Sequence, residues 1–346
     1  MLEKIEYFEK NGKAVIYRCY GEGSVVQLPS FLCGLPVTEL ADHCFAKEPS
    51  VRVKQFERRS ILRTEWEADN SMQCGWQRGS GKKTEADEAA EHPPLCGESI
   101  REIFLPETLE TVGDYTFYGC LNLAAIHFPA SLRRLGGGSF VACNKIRTLY
   151  FQVEKAGETP YCMKDAIGEI PLELEAVLEN REEKPLVYLT YPEYYEESIE
   201  NTPARIIEIA FHGMGYRYRQ CFQGRNLDYG QYDSLFELAL AQEFLPTVMK
   251  MAFHRLQTPV GLTEDHRKKY LDFLQKEAES AARWIFEQER TELLGLLGNL
   301  DYYTEESMEI FLKAASGAGT AEAVSYLMDY RRAHFAPVKK KKYSFE

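Results

Sequence analysis

Between Ser99 and Cys143 the apolar positions fall into columns that return every 23 residues. Ile103 recurs as Ile126 and then Leu149, Pro106 as Pro129, and Leu109 as Leu132. Val112 recurs as Leu135, Phe117 as Phe140, and Cys120 as Cys143. Self-similarity at one fixed period is the mark of a stacked-repeat architecture. Within a unit, Ile103 and Leu105 alternate with outward positions, which predicts a short strand buried on one face. Pro106 removes a ladder N–H and ends that strand. Leu109 and Val112 then point inward, Gly113 permits a sharp bend, Phe117 fills the centre and Cys120 closes the unit as a small buried residue. One coil leaves an apolar side uncovered, so neighbouring coils must stack on it.

A stretched copy lies upstream. Val26 and Leu28 are its strand, Pro29 its stop, and Val37, Leu40 and Phe45 its inward residues. The five-residue step from Leu40 to Phe45 equals the steps from Val112 to Phe117 and from Leu135 to Phe140. The stretch from Ile146 to Phe151 predicts a last strand. These residues resemble the BspA-like leucine-rich repeats, over roughly 24–46 and 99–153. The resemblance implies a solenoid that binds partners and names none of them. One departure is that Ala41 stands where the later copy has Gly113. Another is the separation of the first copy by an insertion at about 47–98. Within it, Gly79 to Pro94 is polar and charged and reads as a mobile loop, and VRVKQFERRSILRTEW offers a further strand.

Residues 154–233 break the period and read as a mixed α/β junction. Apolar runs from Leu172 to Leu178, Leu186 to Leu189 and Ile206 to Phe211 predict strands. Pro192 predicts the start of a helix carrying Glu193, Glu196 and Glu197 in its early turns, where acids suit the helix dipole, and Asn201, Thr202 and Pro203 its end. This block is crowded with tyrosines, carboxylates and arginines. Its candidates for contact with a ligand or partner are Glu200, Asn201, Arg205, His212, Arg217, Arg219 and Cys221. The competing interpretation makes the same residues a polar junction that cements the solenoid to the helical part of the chain. The ENTPARI block from Glu200 and the YRQCF block from Tyr218 are similar to blocks that come after such repeats in a group of cytoplasmic bacterial proteins. That resemblance implies no activity.

From residue 234 to 336 the apolar spacing becomes helical. Leu235, Leu238, Ala239, Val248, Met251 and Ala252 mark the inward face, and Pro246 divides it into two short helices. AARWIFEQERTELLGLL and LKAASGAGTAEAVSYLM align at a spacing of 33, matching Ala282 with Ala315, Glu289 with Glu322 and Leu294 with Leu327. Paired helices at this spacing resemble ankyrin repeats, with Gly317 and Gly319 suited to the last interhelical turn.

Charge and composition narrow the function classes. The net charge of −12 disfavours nucleic acid, whose sequence-independent binding rests on Lys and Arg. The basic run from Lys339 to Lys342, in a tail at 337–346, reads as a solubilising tail, with contact to an acidic partner as the alternative. No apolar run approaches a membrane span, and the N-terminus lacks the apolar stretch of a secretory signal, so a cytoplasmic location is expected. Thiols stay reduced there, and the nine cysteines, without a C-x-x-C pair, read as packing residues. His254 and His266 lack metal-ligand spacing. Gly136, Gly137 and Gly138 lack the lysine of a phosphate loop. Ser139 sits at a repeat column and not in a nucleophile elbow. Asp228 and Asp233 are weak metal candidates, and a helix N-cap accounts for Asp233.

The expectation is an α+β repeat protein: a leucine-rich-repeat β-solenoid at 1–153, a mixed junction, and an ankyrin-like helical hairpin array. It is expected to be a non-enzymatic interaction scaffold for a protein partner, with no catalytic residue, metal or cofactor. The rival expectation is a small-ligand-binding protein or enzyme with its site in the 190–230 block.

Overall fold

The computed structural model describes residues 2–48, 61–67, 75–78, 93–201 and 206–335. Residues 79–92 of the loop expected from Gly79 to Pro94, the stretch 51–60, Thr202, Pro203, Arg205 and the basic tail lie outside the described residues. The chain forms two compact units, Met1–Leu238 and Ala239–Glu346.

The first unit opens with β1 (Leu2–Lys10) and β2 (Lys13–Gly21), followed by β3 (Val25–Gln27), β4 (Phe31–Leu32) and β5 (Leu35–Leu40). Within the insertion lie β6 (Leu62–Glu67) and β7 (Gly75–Arg78). The repeats supply β8 (Glu102–Phe104), β9 (Thr111–Val112), β10 (Ala125–Phe128), β11 (Arg134–Leu135) and β12 (Thr148–Gln152). Helix α1 (Met163–Glu169) then leads to β13 (Leu174–Glu179) and β14 (Pro185–Tyr191). Two sheets result. Sheet A runs β11-β9-β5-β2-β1-β6-β7, and sheet B runs β14-β13-β12-β10-β8-β3. Three coils place one strand in each sheet, β3 and β5, β8 and β9, and β10 and β11, while the coil that begins with β12 continues into α1.

The 23-residue columns are physical columns. Ile126 pairs in parallel with Ile103 on one side and Leu149 on the other, and Val26 pairs with Ile103. Val26, Ile103, Ile126 and Leu149 are all buried. The coils before and after the insertion are therefore immediate neighbours. The rings of Phe45, Phe117 and Phe140 stack at centroid separations of 5.6 and 5.8 Å along the coil axis. Burying each such ring contributes about 1.5–3 kcal/mol. The closing cysteines add hydrogen bonds between coils: the Cys120 thiol donates to the Phe45 carbonyl and the Cys143 thiol to that of Phe117. Hydroxyls do likewise, Thr116 donating to Gly113 and Ala41, Ser139 to Gly136 and Gly113.

The glycine column follows from how closely the coils approach. A Cβ on Gly136 would lie 2.3 Å from the Gly113 backbone, and one on Gly113 would lie 2.5 Å from the Asp42 amide. Ala41 is tolerated because the chain beside it is β2, which continues as an extended strand and not as a repeat turn. The Gly136–Gly138 loop does present amides to anions, and the chain fills them itself. Gly137 donates to Asp114 Oδ1 and Gly138 to Glu169 Oε1, each at 3.1 Å.

Several expectations are corrected. The strand at Thr148–Gln152 is not the last, because β13 continues sheet B in parallel and β14 closes it antiparallel. Pro192 starts no helix. Tyr195–Asn201 is a strand, β15, paired antiparallel with β16 (Ile206–His212). Tyr195, Glu197 and Ile199 alternate with Glu196, Ser198 and Glu200, a period of two that outweighs the acidic residues after the proline. The short helix α2 (Gly215–Tyr218) and the pair β17 (Phe222–Gln223) and β18 (Asn226–Leu227) come next. Asp228, not Asp233, caps α3 (Tyr229–Ser234), accepting from the Gln231 amide, and Asp233 is buried within the helix.

Helix α4 (Phe236–Gln242) bridges the division between the units. The second unit continues with α5 (Leu245–Gln257), α6 (Glu264–Lys276), α7 (Ala278–Glu287), α8 (Glu292–Asn299), α9 (Glu305–Gly317) and α10 (Ala321–His334). Pro246 lies in the first turn of α5, separating it from α4 as its chemistry requires. In the last two hairpins α7 packs on α9 and α8 on α10. Their structural period is 30 residues and not 33. The left-handed turn residues Glu289 and Gly319 are 30 apart, as are the buried pairs Ile285 and Ala315, Leu293 and Ala323, and Leu297 and Leu327.

Candidate functional site

Among the described residues, the candidates between 200 and 221 do not converge on one site. Glu200 and Asn201 pair with Ile207 and Ile206 at the far end of the β15–β16 hairpin, whereas His212 pairs with Tyr195 at its base. Six residue steps at ~3.4 Å separate the two ends by about 20 Å, too far for one small ligand. His212 Nε2 lies 2.9 Å from Glu197 Oε2, and its ring stacks on Tyr195 at 4.5 Å. Arg217 is exposed, and its carbonyl accepts from the thiol of buried Cys221. Burial pushes that thiol up to about 12, so it is not a thiolate nucleophile at neutral pH. Arg205 lies outside the described residues.

Arg219 is the structural centre of this block. It is 3% exposed, and its guanidinium donates to the carbonyls of Ile167, Ile170, Leu172, Pro192 and Gly215 at 2.6–3.1 Å. Tyr194 lies beneath it, its ring centroid 5.0 Å from Cζ. Burial lowers its pKa to about 10, which leaves it charged at neutral pH. One cation thus satisfies carbonyls from the end of α1, the turn after it, and the base of the hairpin. The space is tight: a Cβ on Gly215 would lie 2.2 Å from the Pro192 carbonyl oxygen. This is a sealed junction with its donors already committed.

A chemically distinctive, half-buried row of side chains lies elsewhere in the same unit, on the outer face of sheet B. The residues that alternate with the buried column form a cross-strand row of Phe104, His127 and Tyr150. Their rings stack in parallel, 3.8 Å from Phe104 to His127 and 4.2 Å from His127 to Tyr150. Carboxylates flank the row. His127 Nε2 is 3.0 Å from Glu102 Oε1 and its Nδ1 is 3.5 Å from Glu179 Oε1. Burial favours the neutral imidazole, yet hydrogen bonds and charge from Glu179 and Glu102 together outweigh it and raise its pKa above the ordinary value. A cavity of about 270 Å³ adjoins the row, bounded by Gln27, His127, Gln152, Glu179 and Arg181. The signal was present in the sequence: these three rings lie one position after the Ile103, Ile126 and Leu149 column.

The second unit carries a separate groove between α7 and α9. Its volume is about 610 Å³, with Phe286, Ile310 and Ala314 among its lining residues and Glu279, Arg283, Glu287, Glu309 and Lys313 beside them. Among the described residues there is no cluster of side chains suited to hold a metal ion.

Stacked coils with parallel strands in register and the inward stack of Phe45, Phe117 and Phe140 define the first unit as a leucine-rich-repeat solenoid. Residues 95–173 match the family described as "BspA type Leucine rich repeat region (6 copies)", and this stretch is a repeat region of that type. A solved structure with similarity is that of the T. pallidum Leucine Rich Repeat protein, 15% identical, covering 45% of this chain and 75% of its own. Its TM-score of 0.21 is too low to bear on the fold. Comparison with curated proteins finds no match.

Proposed function

We propose that this chain is a non-enzymatic scaffold that binds a protein partner through the outer face of sheet B. The observation that carries the reading is the ring row Phe104–His127–Tyr150, held on a rigid ladder and flanked by Glu102 and Glu179. Aromatic side chains fixed on a scaffold supply large contact area at small entropic cost. The carboxylates favour a partner segment bearing Lys or Arg, which can pair with acids and lie over ring faces. The helical hairpins, read as an ankyrin-like array, offer a second recognition element of their own. An enzyme or small-ligand site at 190–230 is disfavoured, because Arg219 is sealed and His212 stands on an exposed hairpin.

The test is affinity capture from the native host with the parent chain and with a Phe104→Ser/Tyr150→Ser double variant. A partner retained by the parent and lost by a folded double variant is the expected outcome. Equal retention by both would remove sheet B from the account.

A further inference from the structure

The β15–β16 hairpin stands apart from the two large sheets, and among the described residues each of its strands pairs only with the other. Two-stranded hairpins are marginal in water unless something covers them. This one is unusually apolar for an exposed element: Ile207, Ile209 and Phe211 are 67%, 55% and 41% exposed. All three lie on one face of β16. Across from them on β15, in register, stand Glu200, Ser198 and Glu196. The face is thus split lengthwise, apolar along β16 and acidic along β15. The base is locked by Arg219, so the hairpin is held and not loosely tethered.

The two edges differ in what they can accept. Carboxylates along an edge strand discourage pairing, whereas an apolar edge with free backbone groups invites it. We infer that a second copy of this chain pairs antiparallel with the open edge of β16, making a four-stranded sheet about a two-fold axis near Ile209. In that register Ile209 faces Ile209 of the second copy and Ile207 faces its Phe211, so the two apolar rows merge into one central stripe. The acidic rows fall on the two outermost strands. Pairing through β15 would instead set Glu196 and Glu200 of one copy beside those of the other, and like charges directly opposite are destabilising. A two-fold contact needs a self-complementary surface, and the β16 edge has one. Glu208 then meets Ala210 of the second copy on the other face, and His212 keeps its own Glu197.

Light scattering on the full chain up to about 100 µM should show a dimer that weakens on dilution, as the small area of a hairpin contact implies. Ile209→Lys, at an exposed position, should give a monomer with unchanged thermal unfolding. A parent chain that stays monomeric, or an Ile209→Lys chain that stays dimeric, would overturn the inference. Cysteine cross-linking separates the two edges. Across the axis, paired Cβ atoms lie about 4.5–5.5 Å apart, close to disulfide reach, so Ile209→Cys should cross-link on mild oxidation beyond the parent's background. Ser198→Cys should not, because the two β15 strands are three spacings apart, about 14 Å. Cross-linking through 198 and not 209 would place the contact on the wrong edge and reject the proposal.

Discussion

Arg219 shows how one side chain can govern a junction. Its charge is stabilised by carbonyl dipoles from four stretches of chain and by the Tyr194 ring. Removing it strands several buried carbonyls, at about 1–3 kcal/mol for each that water cannot reach. Arg219→Ala should therefore lower urea-unfolding stability by about 3 kcal/mol or more, and Arg219→Lys, with three donors, by less. A loss for Arg219→Ala below about 1 kcal/mol would mean that the junction does not depend on it. The sequence offered Arg219 as a candidate but not its role, because its acceptors lie as far back as Ile167 and no local pattern records them. His127 allows a test by pH. Its folded-state pKa is raised, so protonation favours the folded chain. Its contribution is full below the unfolded value near 6.5 and is lost as pH rises through the folded value. The stability of the parent over His127→Gln should accordingly be greatest at about pH 6 and shrink toward about pH 9. A difference that grows with pH would contradict the contact with Glu102 and Glu179.

Elements were legible where their residues recur at a fixed interval and obscure where they do not. The strands at Ile103, Ile126 and Leu149 and the phenylalanine stack could be read directly, because one period fixes both spacing and register. The β15 strand was misread because Pro192 and three glutamates imitate a helix start, while the partner that makes it a strand begins only at Ile206. The helical hairpins were recognisable, but their alignment slipped by three residues. Small apolar residues recur so often along α7 and α9 that 33 and 30 fit almost equally until the turns are seen. Coil approach yields a paired prediction. Gly136→Ala places a methyl group against the Gly113 backbone and should cost about 1–3 kcal/mol, as overpacking does. Gly137→Ala, with nothing within 4 Å, should be nearly silent in the same thermal unfolding series. Equal effects would show that the coils are not in the contact described.

At the scale of the whole molecule, the insertion leaves the solenoid uninterrupted. Val26 meets Ile103 as closely in register as Ile103 meets Ile126, so sheet B is one continuous surface from β3 to β13. Its outer row of rings and acids is what a partner would meet, and the inner columns make that row rigid. The second unit carries a mixed apolar and charged groove between two of its helices. The most direct measurement is hydrogen–deuterium exchange on the full chain, alone and with the protein it retains in affinity capture. Slowed exchange concentrated at Glu102–Phe104, Ala125–Phe128 and Thr148–Gln152 is the result expected. Protection confined to the β15–β16 hairpin or to α7 and α9, with these strands unchanged, would contradict the account.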